Sequence, residues 1–571
     1  MNEKRVLNTA VFAAPAKPAW RTWSKITSLV FGLLCVVKLY SIVSNPSSSH
    51  CIHHSRTRSY PGESVQWEAC GTINDHELEC SNISVPIDQF DLERTSDKTF
   101  EIPLIRLRGK NATRNLVVNP GGPGGSGGSL IWRKGALLNR IVGESFHILS
   151  FDPRGVNQSR PLASCYPDST TREKHASGQD TNSVADSIKR FAWTHNYVKA
   201  CEENMGEHGK YINTPQTAAD MNSILDAVGQ EDMFYWGFSY GTVLGQTYAS
   251  LFPERSHRVI IDGVVDHIEW YEKKLLMGDF VDTENVVDGF FDQCFKSGNK
   301  CPLHRLGRTK DELQFQVVSF LKELELEPLP VFINTTLYGT LDYTDLWGAI
   351  FGHMYKPATW LDLATRLDEL IGGNATSAFL EYGTDNAATD DAVDVVYLND
   401  GASGPSHWPK TREELVDILE PFYNSSSFAI SEAQTIYAKQ QWRIPKTHSF
   451  KPPRKASTAH PLLILSTTYD PICPLHSAKG AEATFVDSRL VEVKGYGHCS
   501  LAVPSACIAR HVRDFLLDGK MPDKGAKCEV DEPYFQEPKP ESELWAKLSA
   551  GETDEEQIYA AQALMAMQKP W

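Results

Sequence analysis

Short continuous apolar runs recur along this chain, each followed by a longer stretch whose apolar residues fall three and four apart. The runs are NLVVN from Asn115, FHILSF from Phe146, FYWG from Phe234, RVIID from Arg258 and LLILS from Leu462. Runs that do not alternate suit strands buried on both faces, so they predict a mostly parallel sheet with helices on both sides. The stretch from Thr214 to Gly229 is a typical helical partner, with an N-cap threonine, a stripe through Met221, Ile224, Leu225 and Val228, and a closing glycine. Upstream, Trp67 to Asp88 and Thr99 to Arg108 alternate as antiparallel strands would. Between Asp262 and Leu462 that rhythm is replaced by helical segments such as TWLDLATRLDELIGG. An insertion there predicts a large, mainly helical cap above the C-terminal edge of the sheet, where ligands bind in open α/β folds. The expected organisation is a first core part over 67–266, a cap over 267–455, a second core part over 456–530 and an acidic tail over 531–571 with one amphipathic helix near Glu555 to Met567.

The first residues differ in kind. Lys4, Arg5, Lys17, Arg21 and Lys25 in a basic segment 1–25 precede the apolar segment 26–43, from Ile26 to Val43, and a short stalk 44–66 follows. This reads as a signal-peptide core or a single-pass signal anchor, the anchor being preferred because no small-x-small cleavage site follows. Acceptor patterns for N-glycosylation at Asn82, Asn111, Asn157, Asn334, Asn374 and Asn424 fit a chain on the secretory route. So do 12 cysteines without metal-ligand spacing, which leave no metal expected. A formal net charge of -16 and the lack of a basic stripe argue against a nucleic-acid partner.

The chemistry starts at Ser239, in WGFSYGT. An apolar strand runs directly into a helix there, and Gly237 and Gly241 stand where a Cβ would clash, the pattern of a nucleophile elbow. A serine hydroxyl needs a general base and a carboxylate that orients it. Asp470 follows the strand LLILSTTY, and His498 lies in GYGHCS after the strand RLVEVKG. Asp262 is the alternative acid; His476 is read as a solvent-facing or capping residue. The loop NPGGPGGSGGS from Asn119 joins a buried strand to a helix, where glycines let the backbone approach a ligand. The expected oxyanion donors are the N–H groups of Tyr240 and Gly122.

Together NPGGPGGSG, FDPRGVNQSRP, GFSYGT, the strand before Asp470-Pro471 and GYGHCS resemble the tripeptidyl aminopeptidase branch of the α/β-hydrolase serine exopeptidases, which are similar to proline iminopeptidases. The resemblance runs from about Trp67 to Cys528. It implies an α/β-hydrolase fold with a cap, hydrolysis of short peptides from a free N-terminus, Ser239 as nucleophile, Asp470 as acid, His498 as base, and no cofactor. It departs from the iminopeptidases at Pro120, where they carry histidine, and at Pro153, where they carry glutamine. It also implies cap carboxylates that bind the substrate amine. Asp266, Glu269 and Glu272, where the chain enters the cap, are the candidates, with helix capping as the competing reading. Cys473 and Cys499 stand where relatives tend to carry threonine, and a disulfide between them would clamp the acid loop to the base loop. The other expected pairs are local: Cys70 with Cys80, Cys165 with Cys201, Cys294 with Cys301 and Cys507 with Cys528. The rivals are an esterase or lipase on the same triad and a non-catalytic adhesion ectodomain on a hydrolase scaffold.

Overall fold

In the computed structural model, residues 57–95, 97–176, 187–383, 391–429, 433–549 and 552–568 are described. The apolar segment 26–43, Cys35 and Cys51 lie outside them. No helix among the described residues is long and apolar enough to cross a membrane.

Ten strands form one sheet: β1 (Glu68–Ile73), β2 (His76–Pro86), β3 (Thr99–Leu107), β4 (Arg114–Asn119), β5 (Phe146–Phe151), β6 (Met233–Phe238), β7 (Ser256–Asp262), β10 (Leu463–Tyr469), β11 (Arg489–Tyr496) and β12 (Lys527–Glu529). A separate hairpin in the cap supplies β8 (Leu329–Asn334) and β9 (Leu337–Leu341). The spatial order is β1-β2-β3-β5-β4-β6-β7-β10-β11-β12. Neighbours from β5 to β12 run parallel, and β1, β2 and β3 form an antiparallel edge. All six residues of β5 and all six of β6 are buried, which is why those runs do not alternate. Apolar side chains fill both faces, with Ile261 and Tyr235 in one layer and Trp236 and Ile260 in the other.

Two features depart from the expected outline. The cap carries the β8–β9 hairpin, antiparallel and turned at Thr335 and Thr336. Its strands alternate, but the turn lacks the glycine or Asn-Gly that marks most two-residue hairpins. The tail helix Asp554–Met567 is buried from Ala560 to Ala566, because small alanines let it settle against the helix Gly127–Val142 and the turn after His498. Disulfides join Cys70 to Cys80, Cys165 to Cys201, Cys294 to Cys301 and Cys507 to Cys528.

The DPRG segment after β5 is a structural lock. Arg154, fully buried, donates to both carboxylate oxygens of Asp220 at 2.7 and 2.6 Å and to the carbonyls of Ile87 and Tyr211. Asp152 accepts from Ser126 Oγ at 2.7 Å and Gly128 N at 3.2 Å, tying the glycine loop to β5. Arg154→Met strands the Asp220 carboxylate in the core and is expected to cost about 3–5 kcal/mol. Chemical denaturation checks this, and an unchanged urea midpoint would mean that water reaches Asp220.

Candidate active site

Strand β6 ends at Phe238, and Ser239 turns the chain into the helix Tyr240–Leu251 with φ 55° and ψ −126°. A non-glycine residue in that region stores strain, and the fold holds it from several sides. Ser239 N donates to Asp262 O at 3.0 Å, and Ser239 O accepts from Thr242 N and Thr242 Oγ1, each at 2.7 Å. A Cβ on Gly237 would fall 2.4 Å from Gly241 O, and one on Gly241 would fall 2.9 Å from Asn119 O. Only glycine fits beside the serine.

The glycine loop leans on the same turn. Gly121, at φ +94°, would place a Cβ 2.4 Å from Phe238 O and 3.1 Å from Tyr240 N. Gly121 N is taken by Asn119 Oδ1 at 3.0 Å, whereas Gly122 and Tyr240 line the cavity together with Ser239.

Asp470 and His498 meet at the ends of β10 and β11. His498 Nδ1 stands 3.0 Å from each Asp470 carboxylate oxygen. Asp470, with no exposed surface, also accepts from Ile472 N and Cys473 N on Oδ1 and from Cys499 N on Oδ2. His498 is fixed by its N–H to Tyr355 O at 3.0 Å and by the Tyr355 ring, edge-on at 4.7 Å, so the cap reaches the base loop. No hydrogen bond joins Ser239 to His498 among the described residues. The Cys473 sulfur lies within 4.8 Å of a His498 ring nitrogen and lines the same cavity as Ser239. Asp262, the alternative acid, holds the far end of the base loop: it accepts from Ser500 N at 2.7 Å and Ser500 Oγ at 2.6 Å, and burial raises its pKa to about 6.

The expected clamp between Cys473 and Cys499 is not formed; both are buried free thiols. Cys473 faces the cavity beside Ser239. Cys499, at φ 66°, turns its sulfur against Gly263, 2.4 Å from where a Cβ would sit. The two side chains leave their loops toward different neighbours.

A cavity of about 290 Å³ opens on Ser239. Its walls are aromatic, from Tyr240, Trp270, Phe280, Tyr397 and Phe422, and among the described residues its charged lining residues are Asp279 and Asp394. Asp394 accepts from Tyr197 OH at 3.0 Å and Thr435 Oγ1 at 2.8 Å. The three acids expected to meet an amine stand elsewhere. Asp266 caps the helix His267–Glu272, Glu269 accepts from Gly278 N, and Glu272 pairs with Arg454 at the surface. Sequence reading missed Asp279 and Asp394. For Asp394 the available signal was DAVDVVYLND, where Asp394 interrupts an apolar run from Ala392 to Leu398.

The family model described as alpha/beta hydrolase fold matches residues 114–283, and that described as TAP-like protein matches residues 429–528. The chain is similar to serine protease Hip1 of Mycobacterium tuberculosis, at 27% identity over 82% of this chain and 91% of that protein. It is similar to tripeptidyl aminopeptidase of Streptomyces lividans, at 25% identity over 81% and 86%. It is also similar to carboxylesterase B of Mycobacterium tuberculosis, at 24% identity over 81% and 89%.

Proposed function

We infer that this α/β hydrolase, a serine hydrolase of the tripeptidyl aminopeptidase-like branch, releases short peptides of tripeptidyl length from free N-termini through an acyl-enzyme. The observation that carries the reading is the cavity beside Ser239, which the Asp279 and Asp394 carboxylates line together with aromatic rings. Such a pocket suits a protonated amine held away from water, and the aromatic walls suit the apolar parts of a peptide. The names of the Hip1 and tripeptidyl aminopeptidase relatives point the same way.

In this reading Ser239 Oγ attacks the scissile carbonyl carbon while His498 Nε2 takes its proton. Asp470 holds Nδ1–H and stabilises the imidazolium. A turn about the Ser239 side-chain bond brings its hydroxyl to the His498 ring, the kind of tightening expected when substrate arrives. The N–H groups of Tyr240 and Gly122 receive the developing oxyanion. His498 then protonates the leaving amine, and water enters by the reverse path. The four disulfides suit an oxidising compartment, and the segment 26–43 would deliver the chain there, cleaved or retained.

Peptide nitroanilides of one, two and three residues, free or N-acetylated, test the specificity. The free three-residue substrate is expected to turn over fastest. Equal rates on acetylated substrates would favour the esterase reading, which the carboxylesterase relative keeps open because acyl transfer to water does not distinguish ester from amide. A fluorophosphonate probe is expected to label Ser239; an unlabelled, folded protein would restore the non-catalytic reading.

A further inference from the structure

The cap hairpin separates its side chains sharply. Val331 and Leu341 are buried, and Leu329, Ile333 and Leu337 pack on the same core. Outside, Phe332 and Tyr338 are 70% and 66% exposed. They face each other across the two strands, with rings 6.1 Å apart and only 27° from parallel. Two stacked aromatic rings held open to solvent on a short hairpin call for a cover.

The cover is within reach on the same strand. Asn334 begins the acceptor pattern Asn334-Thr335-Thr336, all three exposed, two residues beyond Phe332 and across a shift of register in the hairpin. Asn334 Oδ1 accepts from Thr336 N at 2.9 Å and from Thr336 Oγ1 at 2.7 Å. Those bonds fix the side chain through its oxygen, and Nδ2 makes no hydrogen bond among the described residues. Asn157 is the opposite case: its Nδ2 donates to Asp152 Oδ2 at 2.7 Å and Ser126 Oγ at 3.1 Å, inside the lock of the glycine loop. Asn374 also accepts from the residue two places on, Thr376 N at 3.2 Å, but it follows Gly372 and Gly373 and has no ring two residues before it.

We propose that Asn334 carries an N-linked oligosaccharide whose first sugar lays its C–H face on the Phe332 ring, with Tyr338 as the second layer, so that the glycan covers the cap hairpin. The donor is a lipid-linked oligosaccharyl pyrophosphate. Asn334 Nδ2 attacks the anomeric carbon, the new N–C bond forms as the C–O bond to pyrophosphate breaks, the lipid pyrophosphate leaves with the electron pair, and the amide proton passes to a base of the transferase. An apolar sugar face on an aromatic ring gains packing and weak C–H to π contacts. This inference is independent of the catalytic reading.

The test uses the full chain secreted from a eukaryotic host. Deglycosylation in ¹⁸O-water followed by peptide mapping is expected to mark Asn334 in most copies and to leave Asn157 unmarked. Asn334→Gln is expected to lower Tm by a few degrees, with most of that loss vanishing in a Phe332→Ala background, while Asn374→Gln shows no such coupling. An unmodified Asn334, or the same Tm loss in both backgrounds, overturns the proposal. A reading that needs no variant is the N-acetyl methyl resonance of the Asn334-linked sugar. Ring stacking shifts it upfield of the same signal at Asn374, and coincident shifts would also overturn the proposal.

Discussion

Asp470→Asn is expected to lower kcat about 10⁴-fold with little change in KM, the size of effect produced when a catalytic histidine is held in the wrong tautomer. The site explains why an amide fails there. The Asp470 carboxylate meets donors on both oxygens: Ile472 N and Cys473 N on one, Cys499 N on the other, and His498 Nδ1 on both. An asparagine offers a single acceptor oxygen. Its NH₂ must confront either the Ile472 and Cys473 N–H groups or the Cys499 N–H, with the imidazole adjacent in both cases, and where it donates to the ring Nδ1 becomes the acceptor and Nε2 carries the proton it should receive.

Asp262→Asn separates this role from mere burial near the histidine. Asp262 is equally buried, but its partners are Ser500 and Trp236. That variant is expected to lose about 1–3 kcal/mol of stability through weakened hydrogen bonds and to keep most of its kcat. Steady-state kinetics and thermal melts on both variants decide the matter. A 10⁴-fold loss in Asp262→Asn with a normal melt would transfer the acid role to that residue.

The legible parts of this molecule were those where one local stretch carries its own signal. Strands β4, β5, β6, β7 and β10 are buried on both faces, so their apolar runs are uninterrupted and their ends are sharp. Ser239 advertises itself because the backbone beside it has room only for Gly237 and Gly241. Asp470 and His498 were findable as residues at strand ends. What sequence hid depends on partners far along the chain. Asp279 and Asp394 reach one cavity from separate cap segments, and no spacing between them is diagnostic. Asp266, Glu269 and Glu272 cluster in sequence, yet each is consumed by a cap, a backbone donor or a surface ion pair. Cys473 and Cys499 sit on adjoining loops, but side-chain direction, set by the left-handed backbone at Cys499, decides against their bond.

Asp394→Asn and Asp279→Asn are each expected to reduce kcat/KM on a free-amine peptide about 10²-fold, the loss of one charge-assisted hydrogen bond of up to about 3 kcal/mol. The N-acetylated peptide brings no charge to the cavity, so its slower hydrolysis is expected to stay within about threefold, well under 1 kcal/mol. The ratio of the two rates is therefore the informative quantity. It isolates charge recognition from damage to the triad, which would depress both substrates alike. Asp394 also accepts from Tyr197 OH and Thr435 Oγ1, and asparagine retains only one acceptor for those two hydroxyls. Its melt must be compared with that of Asp279→Asn to separate repacking from lost charge. If both carboxylates share one ammonium group, the double variant loses less than the product of the single losses, because the first substitution already releases the amine from its place. If the free-to-acetylated ratio is unchanged in all three variants, the acidic lining plays no part in recognising the N-terminus, and the preference for free peptides loses its physical basis in this cavity.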